Sequence, residues 1–273
     1  MVKMAPSITT GSDLAPLLYL DLMKKCLTRS LFPEALRRTP VSPSLRPPLG
    51  ALGLELTRGS RPADRAEGKD WPVDAETMIG LARLQNIQDC IASVLRNAVP
   101  GDLIETGVWR GGACIFMRAA LKAYGDDTRM VWVADSFQGL PKPDPRYPRD
   151  ADDHHWQYAD VLAVSLEKVK SNFERYGLLD SQVRFIEGWF KDTLPHAPIR
   201  QLSVLRLDGD MYASTMDALV ALYPKLSPGG YAIIDDYGAI PACRLAVDDF
   251  RREHGVREAL QKIDWTGVFW EKT

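Results

Sequence analysis

The sequence predicts an α/β protein with a doubly wound, mostly parallel sheet, and three observations support this fold class. Five short runs rich in Val, Ile or Leu alternate with stretches long enough for a crossover helix. Polar or glycine-containing residues follow several of these runs, as expected where the strands of such a sheet end. The 273 residues are 45% hydrophobic and 26% charged, so the chain can bury a core of ordinary size.

The elements follow one another in regular alternation from residue 74 onward. A helix is predicted from Ala75 to Ala98, because its apolar residues recur at three- and four-residue intervals. The predicted strands lie at residues 102–105, 130–134, 183–186, 203–207 and 231–234. The tail, residues 263–271, is predicted to add a hairpin-like antiparallel strand at the edge of the sheet.

The first 73 residues differ from the rest of the chain. Residues 17–32 carry apolar side chains near helical spacing, which predicts a short amphipathic helix. Residues 32–72 are crowded with Pro, Arg and Gly, which interrupt helices and strands. We therefore divide the chain into an N-terminal helix with an arm or lid (1–73) and a main domain (74–273). We expect the arm to fold over the carboxyl edge of the sheet.

Charge and cysteine content exclude several classes of protein. The formal net charge is -2 and the isoelectric point is near 6.1, so no basic field favours binding to nucleic acid. The cysteines are scattered without a CxxC pair, which fits a reducing cytoplasm better than a disulfide framework: Cys26, Cys90, Cys114 and Cys243. We expect no membrane partner, since no apolar run approaches the length of a membrane span.

The turn after the first predicted strand is rich in glycine. Residues 105–112 read Glu-Thr-Gly-Val-Trp-Arg-Gly-Gly, which lets backbone N–H groups approach a ligand ahead of a helix. The turn lacks the G-x-G-x-x-G pattern of dinucleotide sites. Asp135 ends the second strand, where a carboxylate can accept hydrogen bonds from ribose hydroxyls or cap a helix. A nucleoside without a pyrophosphate, such as S-adenosylmethionine, fits both features.

Four carboxylates follow the fourth and fifth strands: Asp208, Asp210, Asp235 and Asp236. The carboxyl ends of adjacent parallel strands lie at one edge of a sheet, so these side chains should meet there. Like charges held close together raise one another's pKa values, and a divalent cation with oxygen ligands removes that cost. The sequence therefore predicts a Mg²⁺ site, with capping of two helices as the alternative. The polar stretch 150–156 is interpreted as an exposed loop.

Five ordered motifs resemble those of the macrocin O-methyltransferase family. They lie at residues 101–112, 134–141, 188–195, 206–215 and 235–243. The resemblance implies a Rossmann-like class I methyltransferase fold with a seven-stranded sheet. It also implies an enzyme that uses S-adenosylmethionine and Mg²⁺ to methylate a deoxysugar hydroxyl on a glycosylated natural product. A homo-oligomer is expected.

Individual positions are carried over from this resemblance. The implied cofactor-binding residues are Met78, Glu105, Thr106, Gly107, Gly111, Asp135, Ser136, Gly188, Trp189 and Asp208. The implied magnesium ligands are Asp208, Asp235 and Asp236. Either Asp208 or Asp210 is expected to be the catalytic base, and the sequence does not separate them. Gln85 departs from the family pattern, because an amide stands where a carboxylate is expected.

Two other functions compete with this interpretation. A catechol-type O-methyltransferase would use the same kind of metal site on a phenolic diol, but a Lys is expected in that class where this chain has Met211. A cofactor-binding module without catalytic activity is the second alternative. Intact carboxylates at all three expected ligand positions argue against it.

Overall fold

The fold is described from a computed structural model, which covers residues 11–32, 39–40, 57–58, 61–70, 74–150 and 155–273. The helices are α1 (Gly11–Leu27), α2 (Pro62–Glu67), α3 (Leu81–Arg96), α4 (Gly112–Ala123), α5 (Ala159–Leu162), α6 (Leu166–Arg175), α7 (Phe190–Thr193), α8 (Tyr212–Leu222) and α9 (Pro241–Glu253). The strands are β1 (Thr39–Pro40), β2 (Thr57–Arg58), β3 (Asp102–Thr106), β4 (Val131–Asp135), β5 (Val183–Glu187), β6 (Leu202–Leu207), β7 (Leu226–Ile234), β8 (Gln261–Lys262) and β9 (Val268–Glu271).

The central sheet has seven strands in the order β5-β4-β3-β6-β7-β9-β8. The first five are parallel, whereas β9 runs antiparallel to both β7 and β8. Strand β3 is therefore central, and the chain leaves it toward β4 on one side and β6 on the other. The predicted doubly wound sheet, with its antiparallel tail, is confirmed. Ligands of such sheets bind where this reversal opens a crevice at the carboxyl ends of the strands.

Two hydrophobic layers cover the faces of the sheet, because neighbouring side chains in a strand point to opposite faces. Leu103 belongs to the layer formed with α1, α3, α4 and α6. Its neighbour Ile104 belongs to the layer formed with α8, α9 and the fully buried Trp270. Because both faces of the central strands are covered, we expect a ligand-binding site at the strand ends and loops.

Helix α1 packs against α4 and confirms the predicted amphipathic helix. Leu20, Met23 and Leu27 are buried, but Leu18 and Leu22, which belong to the same apolar stretch of sequence, are 61% and 50% exposed. Most of the arm, residues 32–72, lies outside the described residues. Its described part includes the short antiparallel pair of β1 with β2 and helix α2.

The helix predicted from Ala75 begins only at Leu81, and this difference has a local cause. Arg65 of α2 donates hydrogen bonds to the carbonyl oxygens of Met78 and Ile79, at 2.7 and 3.0 Å. A Cβ atom at Gly80 would lie 2.5 Å from the Ala66 carbonyl oxygen. Residues 74–80 are therefore held by α2 as irregular chain. Among the described helices, none has the length and apolar character that crossing a membrane requires.

Candidate active site

A cavity of about 860 Å³ opens at the carboxyl edge of the sheet. Its walls come from the ends of β3, β4, β6 and β7, from the chain after α2 and from the loop that follows β4. This volume lies in the upper part of the range for small-molecule sites, which is about 300–1,000 Å³. The cavity therefore has room for a cofactor and part of a second molecule.

The glycine turn after β3 is pressed against the end of β6. Gly107 has φ of +83°, and a Cβ atom there would lie 1.7 Å from the carbonyl oxygen of Asp208. The backbone N–H of Asp208 donates to the Thr106 carbonyl oxygen at 2.9 Å. Only glycine fits this approach, so the two strand ends that form the cavity floor are fixed relative to each other.

Asp135 connects two turns at the cavity. Its Oδ2 atom accepts a hydrogen bond from the Val108 N–H at 2.7 Å, and its Oδ1 atom accepts one from the Phe137 N–H at the same distance. Burial raises the pKa of this carboxyl, although these backbone donors oppose the shift. The side chain lines the cavity, so its first structural role is to hold the glycine turn beside the ligand space.

The structure brings most predicted cofactor residues to this cavity. Those that line it are Met78, Glu105, Gly107, Asp135, Ser136, Trp189 and Asp208. Within the described chain, Thr106, Gly111 and Gly188 are not part of the lining. Gly111 instead faces α6, where a Cβ atom would lie 2.8 Å from Val169 Cγ1. Its positive φ of +83° lets the chain turn into α4.

Three carboxylates converge at the ends of β6 and β7. Asp208, Asp210 and Asp236 each offer an oxygen within 4.8 Å of the others. Among the residues that the structure describes, the Oδ2 atom of Asp236 is buried and has no hydrogen-bond partner. Burial, followed by the charges of Asp208 and Asp210, raises the pKa of Asp236 well above its usual range. An arrangement of oxygen atoms with one buried and unsatisfied is suited to a hard divalent cation.

Asp235 lies outside this group of three, which differs from the predicted ligand set. One of its carboxylate oxygens pairs with Arg83 and the other with Arg206, and all three side chains are buried. Asp210 occurs in the group where the sequence prediction had Asp235. The difference arises because Arg83 of α3 and Arg206 of β6 each pair with one carboxylate oxygen of Asp235.

Arg206 is the charged centre of the site, and the sequence analysis did not single it out. Its side chain is fully buried in β6 and pairs with Glu105 and with Asp208, the latter at 2.9 Å. Burial nevertheless raises the pKa of Glu105 to about 7. An arginine inside an otherwise apolar strand was the available signal, since a buried charge needs paired partners.

The segment after α2 closes one side of the cavity. Gly68, Lys69 and Asp70 are among its lining residues. The backbone carbonyls of this segment accept hydrogen bonds from the main domain: Trp265 Nε1 donates to Glu67 at 2.9 Å and Arg83 Nη2 to Gly68 at 3.4 Å. Part of the predicted arm thus lies over the carboxyl edge of the sheet.

The loop after β4 forms the opposite wall. Its lining stretch, residues 139–145, contains three prolines, which restrict the backbone. Asp144 carries ion pairs from Arg146 and Lys191. The loop continues to Asp150, which is fully buried. The expectation of an exposed stretch from residue 150 is therefore wrong at Asp150, and residues 151–154 of that stretch lie outside the described residues.

The fold and the site define a class I methyltransferase. One solved structure, that of the O-methyltransferase NovP, is similar with a TM-score of 0.84 and 48% sequence identity, covering 94% of this chain and 99% of that one. The calicheamicin methyltransferase CalS11 is 17% identical with a TM-score of 0.58, over 97% of this chain and 94% of that one, and supports the fold alone.

The chain belongs to the macrocin O-methyltransferase (TylF) family, whose model matches residues 17–272. It is 54% identical to 8-demethyl-8-(2,3-dimethoxy-alpha-L-rhamnosyl)-tetracenomycin-C 4'-O-methyltransferase of Streptomyces olivaceus, over 94% of this chain and 93% of that protein. It is 50% identical to mycinamicin III 3''-O-methyltransferase of Micromonospora griseorubida, over 99% of this chain and 100% of that protein. The chain is thus an O-methyltransferase, as its motifs indicated.

Proposed function

We propose that this protein transfers a methyl group from S-adenosylmethionine to a hydroxyl of a deoxysugar on a glycosylated natural product, in a reaction that requires Mg²⁺. The observation that carries the proposal is that the glycine turn of β3 and the three-carboxylate group share one cavity. The relatives support the choice of acceptor, because one is named for methylation of a rhamnosyl-bearing tetracenomycin.

The cofactor fits beside the turn after β3. Asp135 at the end of β4 and Ser136 directly after it would face the ribose, while Glu105, Gly107 and Trp189 line the neighbouring space. Bound S-adenosylmethionine supplies an electrophilic methyl group. The role of the chain is to hold this methyl in line with an acceptor oxygen, since orientation alone can contribute about 7–11 kcal/mol to lowering such a barrier.

The carboxylates fit a magnesium ion. Asp208 and Asp236 belong both to the predicted ligand set and to the group in the structure, and we assign ligation to them. The unsatisfied Oδ2 atom of Asp236 points to a missing partner of positive charge. A bound Mg²⁺ would act as a Lewis acid on hydroxyl oxygens.

We assign acceptance of the hydroxyl proton to Asp210. It lines the cavity and is only partly buried, whereas Arg206 contacts Asp208 at 2.9 Å and Asp236 is buried. Asp210 also has φ of +57°, which is uncommon for a residue other than glycine and occurs where surrounding structure fixes the backbone. A carboxylate held in this way can accept a proton in one defined direction.

The acceptor would lie between the two walls. The aglycone faces the proline-containing loop 139–145 and the sugar faces the carboxylates, with the segment 68–70 as the lid. As part of the same proposal, residues 1–73 comprise an N-terminal helix and an arm or lid, and residues 74–273 form the S-adenosylmethionine-dependent methyltransferase domain.

We also propose that the protein acts as a homo-oligomer in the cytoplasm. The four cysteines are free, which suits a reducing compartment. Leu14, Leu18 and Leu22 recur every fourth residue of α1 and are 50–61% exposed, which suits contact with a second copy. Light scattering after size exclusion should give a mass above 30.5 kDa for the chain in solution.

The central experiment uses metal-stripped protein, S-adenosylmethionine and a panel of rhamnosylated polyketides with free sugar hydroxyls, with catechol as a counter-substrate. Mass spectrometry should show one added methyl on a glycoside with Mg²⁺ present and none in excess EDTA. Methylation of catechol alone, or equal turnover in EDTA, would contradict the proposal.

Two variants test whether Asp210 is the catalytic base or a ligand of the ion. If Asp210 is the base, Asp210→Asn should bind Mg²⁺ within threefold of the parent in calorimetric titration, while turnover falls at least about 100-fold. Asp235→Asn is titrated beside it. Weakened Mg²⁺ binding in Asp210→Asn, with binding kept in Asp235→Asn, would make Asp210 a ligand instead.

A further inference from the structure

Helix α8 begins directly after the acidic residues that follow β6, and its N-cap residue makes no side-chain capping hydrogen bond. The N-cap position is Met211, whose side chain has no oxygen to accept the first N–H groups of the helix. Asp150 performs this task from 62 residues earlier in the chain. Its Oδ1 atom accepts from the Tyr212 N–H at 2.9 Å and its Oδ2 atom from the Ala213 N–H at 2.8 Å.

The residues between β6 and α8 are the turn that carries two of the proposed functional acids. Residues 208–211 form this acid turn, with Asp208 at its start and Asp210 near its end. The start is fixed to β3 by the hydrogen bond from Asp208 N–H to the Thr106 carbonyl oxygen. The far end joins the first turn of α8, where Asp150 provides the two side-chain acceptors.

The negative charge of Asp150 would be energetically unfavourable at this buried position without the N–H groups of α8. The residue is 0% exposed, and a buried carboxylate is expensive unless hydrogen-bond donors satisfy it. The donors here are helix N–H groups at the positive end of α8, which suits a carboxylate. A neutral residue of similar size would lose that charge-assisted pairing.

The segment that ends at Asp150 is fixed to α8 at a second point. Tyr147 Oη donates to Asp217 Oδ1 at 3.0 Å, and Arg146 Nη2 donates to Asp217 Oδ2 at 3.1 Å. The same segment begins in the cavity wall at residues 139–145. Asp150 therefore joins the wall that faces the acceptor to the turn that carries the acids.

We infer that Asp150 is a positioning residue that sets the geometry of the acid turn. Asp150 is not among the described residues that line the cavity, and it acts through α8 on Asp208 and Asp210. The inference rests on the proposed function where it concerns Mg²⁺, and on the hydrogen bonds alone where it concerns the shape of the turn.

The experiment compares the full chain with Asp150→Asn and Asp150→Ala by calorimetric titration of metal-stripped protein with Mg²⁺ and, separately, with S-adenosylmethionine. We expect Mg²⁺ to bind at least fivefold more weakly in Asp150→Asn and weaker still in Asp150→Ala. Cofactor affinity should stay within twofold of the parent, because the cofactor turn belongs to β3. Because asparagine keeps one acceptor oxygen, the loss of Mg²⁺ affinity should be smaller in Asp150→Asn than in Asp150→Ala.

Ser165→Ala is the matched control. Ser165 Oγ caps α6 by accepting from the Lys168 N–H at 3.2 Å, in an exposed position away from the acid turn. It should lower the melting temperature and leave Mg²⁺ binding unchanged. Unchanged Mg²⁺ affinity in both Asp150 variants would overturn the inference.

Hydrogen exchange keeps the two proposals separable. If the parent itself binds no Mg²⁺, the metal proposal fails, and the positioning role is judged by amide exchange across residues 208–213. Exchange in Asp150→Asn should then be at least tenfold faster there than in the parent. Equal exchange would overturn the positioning role whatever the fate of the metal.

Discussion

Asp135 Oδ2 lies 2.7 Å from the backbone nitrogen of Val108, so the end of β4 holds the glycine turn that follows β3. The Asp135 carboxylate therefore stabilises the protein's own backbone at this position. The shape of the glycine turn after β3 thus depends also on β4, through a side chain 27 residues away in the sequence.

Asp135→Ala should therefore weaken S-adenosylmethionine binding at least tenfold. The variant loses hydrogen bonds to a charged group, each worth about 1.5–3 kcal/mol, and each 1.4 kcal/mol is about tenfold in affinity. Calorimetric titration measures the change. Asp127→Ala is the control, because Asp127 is exposed in the connection between α4 and β4. A dissociation constant for Asp135→Ala within threefold of the parent would place cofactor recognition elsewhere.

Gly107→Ala should disrupt the site, whereas Gly177→Ala should not. Both glycines have positive φ, +83° and +63°, so both substitutions carry the same kind of backbone strain, about 1–2 kcal/mol. Of the two, only Gly107 would bring the new Cβ atom against backbone, since among the described residues nothing beyond its chain neighbours lies within 4 Å of the Cβ position at Gly177. Urea unfolding should show a larger loss for Gly107→Ala, with loss of cofactor binding. Equal losses would refute the role assigned to the close approach.

Glu105→Gln should change the pH dependence of stability. Burial raises the pKa of Glu105 from 4.5 to about 7 in the folded protein, so folding favours its protonated form. Its contribution is complete below pH 4.5 and is lost as pH rises toward 7. The free energy of unfolding of the variant, relative to the parent, should increase across that interval by up to about 3 kcal/mol and then level off. A difference that does not vary with pH would contradict the assignment.

Arg65→Ala should release the lid segment. Arg65 is buried, pairs with Asp70 at 3.0 Å and donates to the carbonyls of Met78 and Ile79. Limited digestion with trypsin should cut after Lys69 several times faster in the variant. Arg61→Ala, at the start of the same helix, is the control, because Arg61 is exposed and its described ion pair is with nearby Asp64. Equal rates in the two variants would show that Arg65 does not hold the segment.

The sequence was sufficient for the fold because each central strand is a short apolar run with its own following turn. The acidic residues at the ends of β6 and β7 were equally visible. The pairing of Asp235 was not, since Arg83 lies 152 residues away and no local pattern connects the two.

The cap supplied by Asp150 was missed for a related reason. The stretch that begins at Asp150 is rich in polar residues, and such a stretch indicates exposure unless a distant group binds one of its side chains. The need comes from Met211, which cannot cap its own helix. In both cases the prediction failed because a buried polar contact joins residues that are far apart in the sequence.

Arg206 and Arg83 give the acid-rich edge of the sheet a built-in positive charge, independent of any ion. These arginines neutralise part of the acidic charge in the folded protein without a cation. Under the proposed function, Mg²⁺ would then bind in a separate, reversible step after folding rather than as a condition of it.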